Sequence, residues 1–146
     1  MAGAEETNEL VLCLGSNRER EWNIGRAAER LRASFVSARF APAVYTTPVG
    51  CASTIPFLNQ VVIAYTSCSI EECRRLIKSI EAELGRTASD KAAGRIPIDI
   101  DLLCWNGQVL KADDWARGYV ADGVRYLTRE SLLISRKTRE NNRASL

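Results

Sequence analysis

Apolar and polar positions along the chain follow two periods, which predict four strands and two helices. Apolar residues recur at helical spacing in residues 21–35 and again in residues 70–84. Short apolar or β-branched runs, bounded by turn residues, predict strands at residues 10–14, 36–45, 57–65 and 98–105. The predicted order of elements is therefore βαββαβ.

The second helix carries the clearest start and stop signals. Ser69 precedes it and Glu72 follows three residues later, which is the sequence pattern of a capping box. Gly85 predicts the end of this helix. The polar segment 87–94 is typical of a mobile loop, and residues 113–127 predict a further helical piece.

This order of elements predicts an α+β fold of the ferredoxin-like βαββαβ type, a four-stranded antiparallel sheet with both helices on one face. A C-terminal helical extension would follow. Because 146 residues fit one domain, we expect a single domain over residues 1–146, with its core at about 9–106 and the extension at 107–146. The second face of the sheet would be open, and ligand grooves form on such faces.

Composition and charge narrow the classes of partner. The formal net charge of +2 is too small to indicate a nucleic acid or a membrane surface. No apolar stretch reaches about 18 residues, so we expect no membrane-spanning helix. Residues 1–9 are acidic rather than basic, which argues against a signal peptide, and the expected location is the cytoplasm.

The chain contains five cysteines and no histidine. The cysteines are odd in number, scattered and without a C-x-x-C pair, so we interpret them as buried, reduced thiols rather than as disulfides or zinc ligands. The absence of histidine excludes Ser-His and Cys-His nucleophilic catalysis and any imidazole general base. Catalysis by this chain would therefore use carboxylate, Lys, Arg or Tyr side chains.

The strongest chemical signal is a pair of carboxylates, Asp99 and Asp101, inside the apolar run of residues 98–102. Successive side chains of a strand point to opposite faces, so the two carboxylates would share one face. Two like charges so close favour a bound cation, and carboxylate oxygens suit Mg²⁺, which usually completes its shell with water and substrate phosphates. Two solvated acids on an open sheet face are the alternative. The first interpretation predicts phosphate chemistry.

Basic, aromatic and amide residues extend this hypothesis. Arg86, Lys91 and Arg95 would place cations beside the carboxylates, where they could clamp phosphates, although each alone is equally consistent with surface charge. Phe57 and Asn59 offer the stacking and the hydrogen bonds that a planar heterocycle needs. A core Phe with a turn-capping Asn explains the same two residues equally well.

Five motifs in order resemble the 6-hydroxymethyl-7,8-dihydropterin pyrophosphokinase family of folate biosynthesis. The motifs lie at residues 14–17 (LGSN), 45–50 (YTTPVG), 57–59 (FLN), at Glu81 with residues 85–86 (GR), and at 98–102 (IDIDL). The resemblance covers residues 10–105 and implies a ferredoxin-like fold. It also implies transfer of the β,γ-pyrophosphoryl group of ATP to the hydroxymethyl group of the pterin, with release of AMP.

The resemblance assigns roles to residues by position. Asp99 and Asp101 would bind two Mg²⁺ ions, Asp99 would also accept the hydroxyl proton, and the catalytic arginines would be Arg86 and Arg95. The pterin pocket would be lined by Thr47, Pro48, Val49, Phe57 and Asn59. The nucleotide would lie near Glu81, Lys91, Leu102 and Tyr119. Residues 87–97 would close over both substrates.

Two other functions stay open. The loop at residues 87–97 contains no aromatic residue, whereas larger members of the family carry a tryptophan and further arginines there. A catalytically impaired pterin- or nucleotide-binding module of the same fold is therefore the main rival. A metal-dependent nucleotidyltransferase also uses a Gly-Ser turn and a D-x-D pair, but here these lie far apart, on the first and last strands. We expect ATP and a hydroxymethyl pterin as partners, no nucleic acid or membrane, and a monomer or weak homodimer.

Overall fold

The computed structural model describes residues 6–48 and 54–144, with side chains to residue 141. The strands in these ranges are β1 (Asn8–Ser16), β2 (Ser37–Phe40), β3 (Val44–Thr46), β4 (Phe57–Thr66), β5 (Asp99–Trp105) and β6 (Gln108–Val109). The helices are α1 (Arg20–Ser34), α2 (Ile70–Glu83), α3 (Asp90–Ala93), α4 (Ala112–Trp115) and α5 (Gly118–Ala144). Both predicted helices and all four predicted strand regions are therefore present.

The strands form one antiparallel sheet in the order β2-β4-β1-β5-β6, and β3 also pairs with β4. Because β1 lies between β4 and β5, Gly15 is opposite Asn59 on one side and opposite Asp99 on the other. α1 and α2 pack against the same core on one face of the sheet. This arrangement confirms the α+β, ferredoxin-like fold.

The core on the helix face follows the alternation of the strands. Alternate residues of β1 and β5 point into it together with apolar residues of α1 and α2. Its strand members include Leu10, Leu12, Leu14, Ile100 and Leu102. On β5 this leaves the intervening side chains, Asp99 and Asp101, on the opposite face, as predicted from the sequence.

Residues 36–45 form two strands, β2 and β3, rather than the single strand predicted. Both pair with β4, and Pro42 lies between them. Proline has no N–H to donate, so it interrupts a continuous ladder. A further short edge strand, β6, follows Asn106 and Gly107, whose φ angles of 48° and 82° make the tight turn after β5.

The signals that predict the ends of α2 are confirmed. Ser69 Oγ accepts a hydrogen bond from the Glu72 N–H, and Glu72 Oε1 accepts one from the Ser69 N–H, each at 3.2 Å. Gly85 follows the helix at φ +94°. The segment predicted as a mobile loop contains the short helix α3, because Thr87 donates from its N–H and its hydroxyl to the Asp90 carboxylate at 2.6 and 2.8 Å.

The C-terminal helical piece is longer than predicted and covers part of the second sheet face. Val120 and Leu127 of α5 are buried against Val11, Val61 and Leu103. The expectation that this face is open is therefore wrong where α5 crosses it, since the apolar stripe of α5 needs a surface to bury. The face stays accessible around Asp99 and Asp101, which line a pocket there.

The remaining expectations concern membranes and cysteines. None of the helices in the described ranges is long and apolar enough to cross a bilayer. Cys13, Cys73 and Cys104 are buried thiols, Cys68 is partly exposed rather than buried, and Cys51 lies outside the described residues.

Candidate active site

A pocket of about 440 Å³ opens on the second face of the sheet, where β1, β4 and β5 lie side by side next to α4 and the start of α5. Below we call it the active-site pocket. Its lining side chains come from the strands, the 87–97 segment and the chain after β6. They include Thr46, Thr47, Pro48, Phe57, Asn59, Arg86, Lys91, Asp99, Asp101, Lys111, Asp114, Arg117 and Tyr119.

Each carboxylate of the β5 pair contacts a cation of the chain. Arg86 Nη1 lies 3.1 Å from Asp99 Oδ1, and Lys111 Nζ lies 2.6 Å from Asp101 Oδ1. Burial raises the pKa of Asp101, and the neighbouring negative charge of Asp99 raises it further. The pocket therefore holds two interacting carboxylates that are stabilised by positive charge.

The carboxylate pair suits Mg²⁺ in its donor chemistry. In the described residues, no group of three or more His, Cys, Asp or Glu side chains is placed to hold a metal by itself. Mg²⁺ needs no such cage, because one or two carboxylates suffice when water and substrate phosphates complete its shell. Asp99 and Asp101 are thus the side chains that would hold the ion, together with a phosphate-bearing ligand.

Glu81 fixes Arg86 and β5 from beneath the pocket. Its side chain is only 5% exposed, and its carboxylate accepts a hydrogen bond from the Ile100 N–H at 2.9 Å. Arg86 Nη1 lies 3.5 Å from the same carboxylate and also donates to the Ile98 carbonyl at 2.9 Å. Glu81 therefore holds Arg86 in place beside Asp99 rather than lining the pocket itself.

An amide and an aromatic ring form the wall opposite the carboxylates. Asn59 is buried and donates from Nδ2 to Thr46 Oγ1. A side chain at Gly15 would place its Cβ 3.2 Å from Asn59 Oδ1 and 3.7 Å from the Phe57 ring. The glycine in the LGSN motif therefore leaves room for a ligand between the amide, the ring and Asp99.

Most of the predicted site residues come together in this pocket. Those that line it are Thr47, Pro48, Phe57, Asn59, Arg86, Lys91, Asp99, Asp101 and Tyr119. Val49 lies outside the described residues. Arg95 is exposed and is not among the lining residues.

The place of Leu102 near the nucleotide stays a prediction, but its side chain does not face the pocket. Leu102 is 4% exposed and packs in the core beneath α1 and α2, on the face opposite the pocket. The reason is the alternation of β5, which sends every second side chain to the helix face. Glu81 likewise lies under the pocket floor, so its part is to position Arg86.

Sequence reasoning missed three charged residues of the pocket: Lys111, Asp114 and Arg117. Arg117 Nε pairs with Asp114 Oδ1 at 3.0 Å. The residues lie beyond β6, and the signal that leads to them is the Asn-Gly dipeptide at 106–107. Such a dipeptide is typical of a tight hairpin, which turns the chain back along β5 to the carboxylates.

Asn17 is a further missed residue, since it anchors the end of the 87–97 segment beside the pocket. Its Nδ2 donates to the Gly94 carbonyl and its Oδ1 accepts from the Ile96 N–H, both at 2.7 Å. The backbone N–H of Asn17 also donates to the Ile96 carbonyl at 3.0 Å. The LGSN motif thus ties the end of β1 to the segment that leads into β5.

The buried Cys13 thiol and the half-buried Tyr119 hydroxyl also line the pocket. Burial raises the pKa of the Cys13 thiol to about 12, and burial also raises the pKa of Tyr119 well above its usual value. Both groups are therefore protonated at neutral pH. They offer a hydrogen-bond donor and an apolar surface rather than a nucleophile.

A second cavity, of about 500 Å³, runs along α5 and is mostly apolar. Its lining residues are Trp115, Val120, Ala121, Val124, Arg125, Thr128, Arg129 and Leu132. This lining contains no carboxylate. The carboxylates that suit a metal ion therefore lie in the active-site pocket and not in the cavity along α5.

Comparison with known proteins identifies relatives in folate synthesis. A folate synthesis bifunctional protein of Arabidopsis thaliana is 30% identical over 107 residues, which cover 72% of this chain and 22% of that protein. The mitochondrial folate synthesis bifunctional protein of Pisum sativum is 32% identical over 110 residues, 74% of this chain and 21% of that protein. The chain thus spans about a fifth of the length of these relatives.

The family match covers more of the chain than the sequence motifs do. The model of the family described as 7,8-dihydro-6-hydroxymethylpterin-pyrophosphokinase (HPPK) matches residues 11–129, from β1 into α5. ATP-dependent pyrophosphoryl transfer in folate biosynthesis is the activity of that family. Because the match includes every residue that lines the active-site pocket, this chain belongs to the HPPK family.

Proposed function

We propose that this chain catalyses Mg²⁺-dependent transfer of pyrophosphate from ATP to 6-hydroxymethyl-7,8-dihydropterin. The single observation that carries the proposal is the carboxylate pair of β5, accessible in a pocket with cations on one side and the Phe57–Asn59 wall on the other. In the reaction, the pterin hydroxyl oxygen bonds to the β-phosphorus and the bond from that phosphorus to the α-phosphate oxygen breaks. AMP leaves, and the hydroxyl proton passes to Asp99.

The metal part of the proposal concerns two Mg²⁺ ions at Asp99 and Asp101. When bound, the ions would neutralise phosphate charge, which supplies much of the catalysis in phosphoryl transfer. Arg86, fixed by Glu81, adds a donor beside Asp99. Positioning of the two substrates in a closed pocket contributes the rest.

The binding roles follow the two walls of the pocket. For the pterin we propose Phe57 and Asn59, with Thr47, Pro48 and Val49 at the rim. An amide supplies paired hydrogen bonds to a heterocycle, and the ring stacks on it. For the nucleotide we propose Lys91 and Tyr119. Arg95, which lies outside the pocket lining, stays proposed as a catalytic arginine with Arg86.

A second candidate, a pterin- or nucleotide-binding module without catalysis, is favoured by one observation. Both carboxylates already have a cation of the chain within 3.1 Å, so the charge of each is balanced by the protein itself. Binding of the pterin without enhancement by Mg-ATP in a calorimetric titration would favour the module. Binding strengthened by Mg-ATP, together with turnover, would favour the enzyme.

The test of the proposed function is AMP release. The purified chain is incubated with Mg²⁺, ATP and the reduced pterin, and AMP is separated by chromatography. We expect turnover in the parent and a loss of at least about a hundredfold in Asp99→Asn, since the variant loses a metal ligand and the proton acceptor. Asp113→Asn is the matched control, because Asp113 is exposed on α4 and outside the pocket lining. No AMP above background in the parent refutes the enzyme.

The acceptor, the assembly state and the location belong to the same proposal. Parallel assays with other hydroxymethyl heterocycles would show whether the pterin is the preferred acceptor.

We propose a single domain that acts as a monomer or weak homodimer. Light scattering after size-exclusion chromatography measures this assembly state. We further propose a cytoplasmic location, although the relative from Pisum sativum is named mitochondrial.

A further inference from the structure

We propose that Lys111 is an exchangeable counter-ion of Asp101, which leaves the carboxylate when a metal–nucleotide complex binds and then contacts the phosphates. The inference rests on the proposed function, because it assigns a role to Lys111 at the same carboxylate pair. It makes binding of the metal and of the nucleotide mutually dependent. The observation behind it is the 2.6 Å distance between Lys111 Nζ and Asp101 Oδ1.

The hairpin after β5 places Lys111 beside the carboxylates. β6 pairs with β5 through Val109 opposite Cys104, and the Leu110 N–H donates to the Leu103 carbonyl at 2.8 Å. These bonds fix the backbone one residue before Lys111. The Lys111 side chain then lines the active-site pocket together with Asp101.

The two cations beside the carboxylate pair are held very differently. Arg86 contacts Glu81, Asp99 and the Ile98 carbonyl just before β5, and its side chain is 23% exposed. Lys111 is 44% exposed, and the hydrogen bond found for its ammonium among the described residues is the one to Asp101. A lysine ammonium is a hydrated point charge on a flexible stem. Arg86 is therefore an anchored part of the pocket, whereas Lys111 can exchange partners.

A metal ion and the Lys111 ammonium compete for the same oxygen. Mg²⁺ binds carboxylate oxygens at about 2.1 Å, so an ion at Asp101 Oδ1 would share the negative charge of that oxygen with the ammonium unless the ammonium moves away. Two cations on one oxygen also repel each other strongly. Metal alone must therefore break the ion pair without giving Lys111 a new partner, whereas metal with a nucleotide brings phosphate oxygens that the ammonium can bind.

This competition predicts effects of opposite sign on two binding constants. Removal of the Lys111 charge strengthens binding of the metal alone, because no ion pair has to break. The same change weakens binding of the metal–nucleotide complex, because a phosphate contact is lost. If Lys111 had only a structural role, its removal would weaken binding of the metal alone and binding of the metal–nucleotide complex together.

The test measures both constants for Lys111→Met without any turnover. Mn²⁺ binding is followed by electron paramagnetic resonance in the absence of nucleotide, and binding of Mg²⁺ with α,β-methylene-ATP is followed by calorimetry. We expect the Kd for Mn²⁺ to fall about fivefold, the change that a partly exposed ion pair of about 1 kcal/mol gives. The Kd for the analogue should rise by about the same factor. Lys111→Arg should bind Mn²⁺ as weakly as the parent.

Lys137→Met is the matched control, since it makes the same charge change at an exposed position of α5 away from the pocket. Both of its constants should equal those of the parent. If Lys111→Met misfolds by circular dichroism, Lys111→Gln is judged by the same two constants.

The outcomes separate this inference from the proposed function. Unchanged or weaker Mn²⁺ binding in the Lys111 variant, with Mn²⁺ binding lost in Asp101→Asn, overturns the role of Lys111 and leaves the carboxylate site intact. If the parent and every variant fail to bind Mn²⁺, the metal site and the role of Lys111 both fail. AMP release by the parent is measured independently and stands or falls by itself.

Discussion

Gly123 lies where α5 packs against β4, and its replacement by alanine tests how α5 is held on the sheet. An added Cβ would lie 2.6 Å from Val61 Cγ2 and 2.7 Å from Val61 Cβ. Val61 is itself only 2% exposed and is held in the sheet by its pairing with Cys13. Neither atom belongs to the far end of a flexible side chain, so α5 has to shift away from the sheet.

The expected magnitude is a balance of two opposite effects. Alanine is favoured over glycine in a helix interior by about 1 kcal/mol. Crowding of a packed core by one extra carbon costs about 1–3 kcal/mol. We therefore expect Gly123→Ala to lower the free energy of unfolding by about 1 kcal/mol, which corresponds to a Tm lower by about 4 °C.

Gly25→Ala is the matched control, because Gly25 lies within α1 and an added Cβ meets nothing within 4 Å. Its free energy of unfolding should rise by about 0.5–1 kcal/mol. Urea denaturation and thermal melting, followed by circular dichroism at 222 nm, measure both variants. A Gly123→Ala protein as stable as the parent, beside a stabilised Gly25→Ala protein, would refute this account of the packing of α5.

Three further perturbations test the capping of α2, the support beneath the pocket and the buried thiol that lines it. Ser69→Ala should cost about 1 kcal/mol at pH 7 in urea denaturation. Hydrogen bonds from Ser69 lower the pKa of Glu72 in the folded protein. The stabilisation that follows is present above the pKa that Glu72 has in the unfolded protein, and it is lost as the pH falls through the lower, folded pKa. The cost should therefore shrink in acid, and an equal cost at pH 7 and pH 3 would contradict the reciprocal cap. Glu81→Ala should cost about 2 kcal/mol because a buried β5 amide loses its acceptor, while Glu81→Gln should cost less, and the reverse order would contradict this role. Because burial raises the pKa of Cys13 to about 12, its alkylation at pH 8 should be on the order of a thousandfold slower in the folded than in the urea-unfolded protein. Mass spectrometry of the modified peptides measures this, and equal rates would contradict the burial.

The parts of the fold that could be predicted are those whose signals are local. The capping box at Ser69 and the alternation through Asp99 and Asp101 depend on residues at most three positions apart, so each is readable from a short window. The course of α5 is different. Its apolar residues Val120 and Leu127 indicate a helix, but which surface they cover depends on the residues that β1 and β4 leave exposed.

Leu102 and Glu81 were assigned by position along the chain rather than by direction, and neither side chain lines the pocket. Leu102 directly follows Asp101, and on a strand that neighbour points to the other face. Glu81 is near Arg86 along the chain and near β5 in space, but its carboxylate meets the β5 backbone from below. The strand period predicts which face the Leu102 side chain takes, whereas the place of Glu81 depends on the packing of α2 on the sheet.

The pairing of charges within the active-site pocket is the part of the site that could not be predicted from sequence, and it has the largest consequence for mechanism. Asp101 pairs with Lys111 at 2.6 Å because the Asn-Gly turn brings the chain back along β5, and Asp114 pairs with Arg117, three residues further along the chain, in the same pocket. A motif search finds carboxylates without their partners. Since the protein already neutralises these acids, a metal ion gains little by replacing one cation with another. It gains more when a polyphosphate accepts the displaced ammonium, so the pocket favours binding of metal and nucleotide together over binding of either alone.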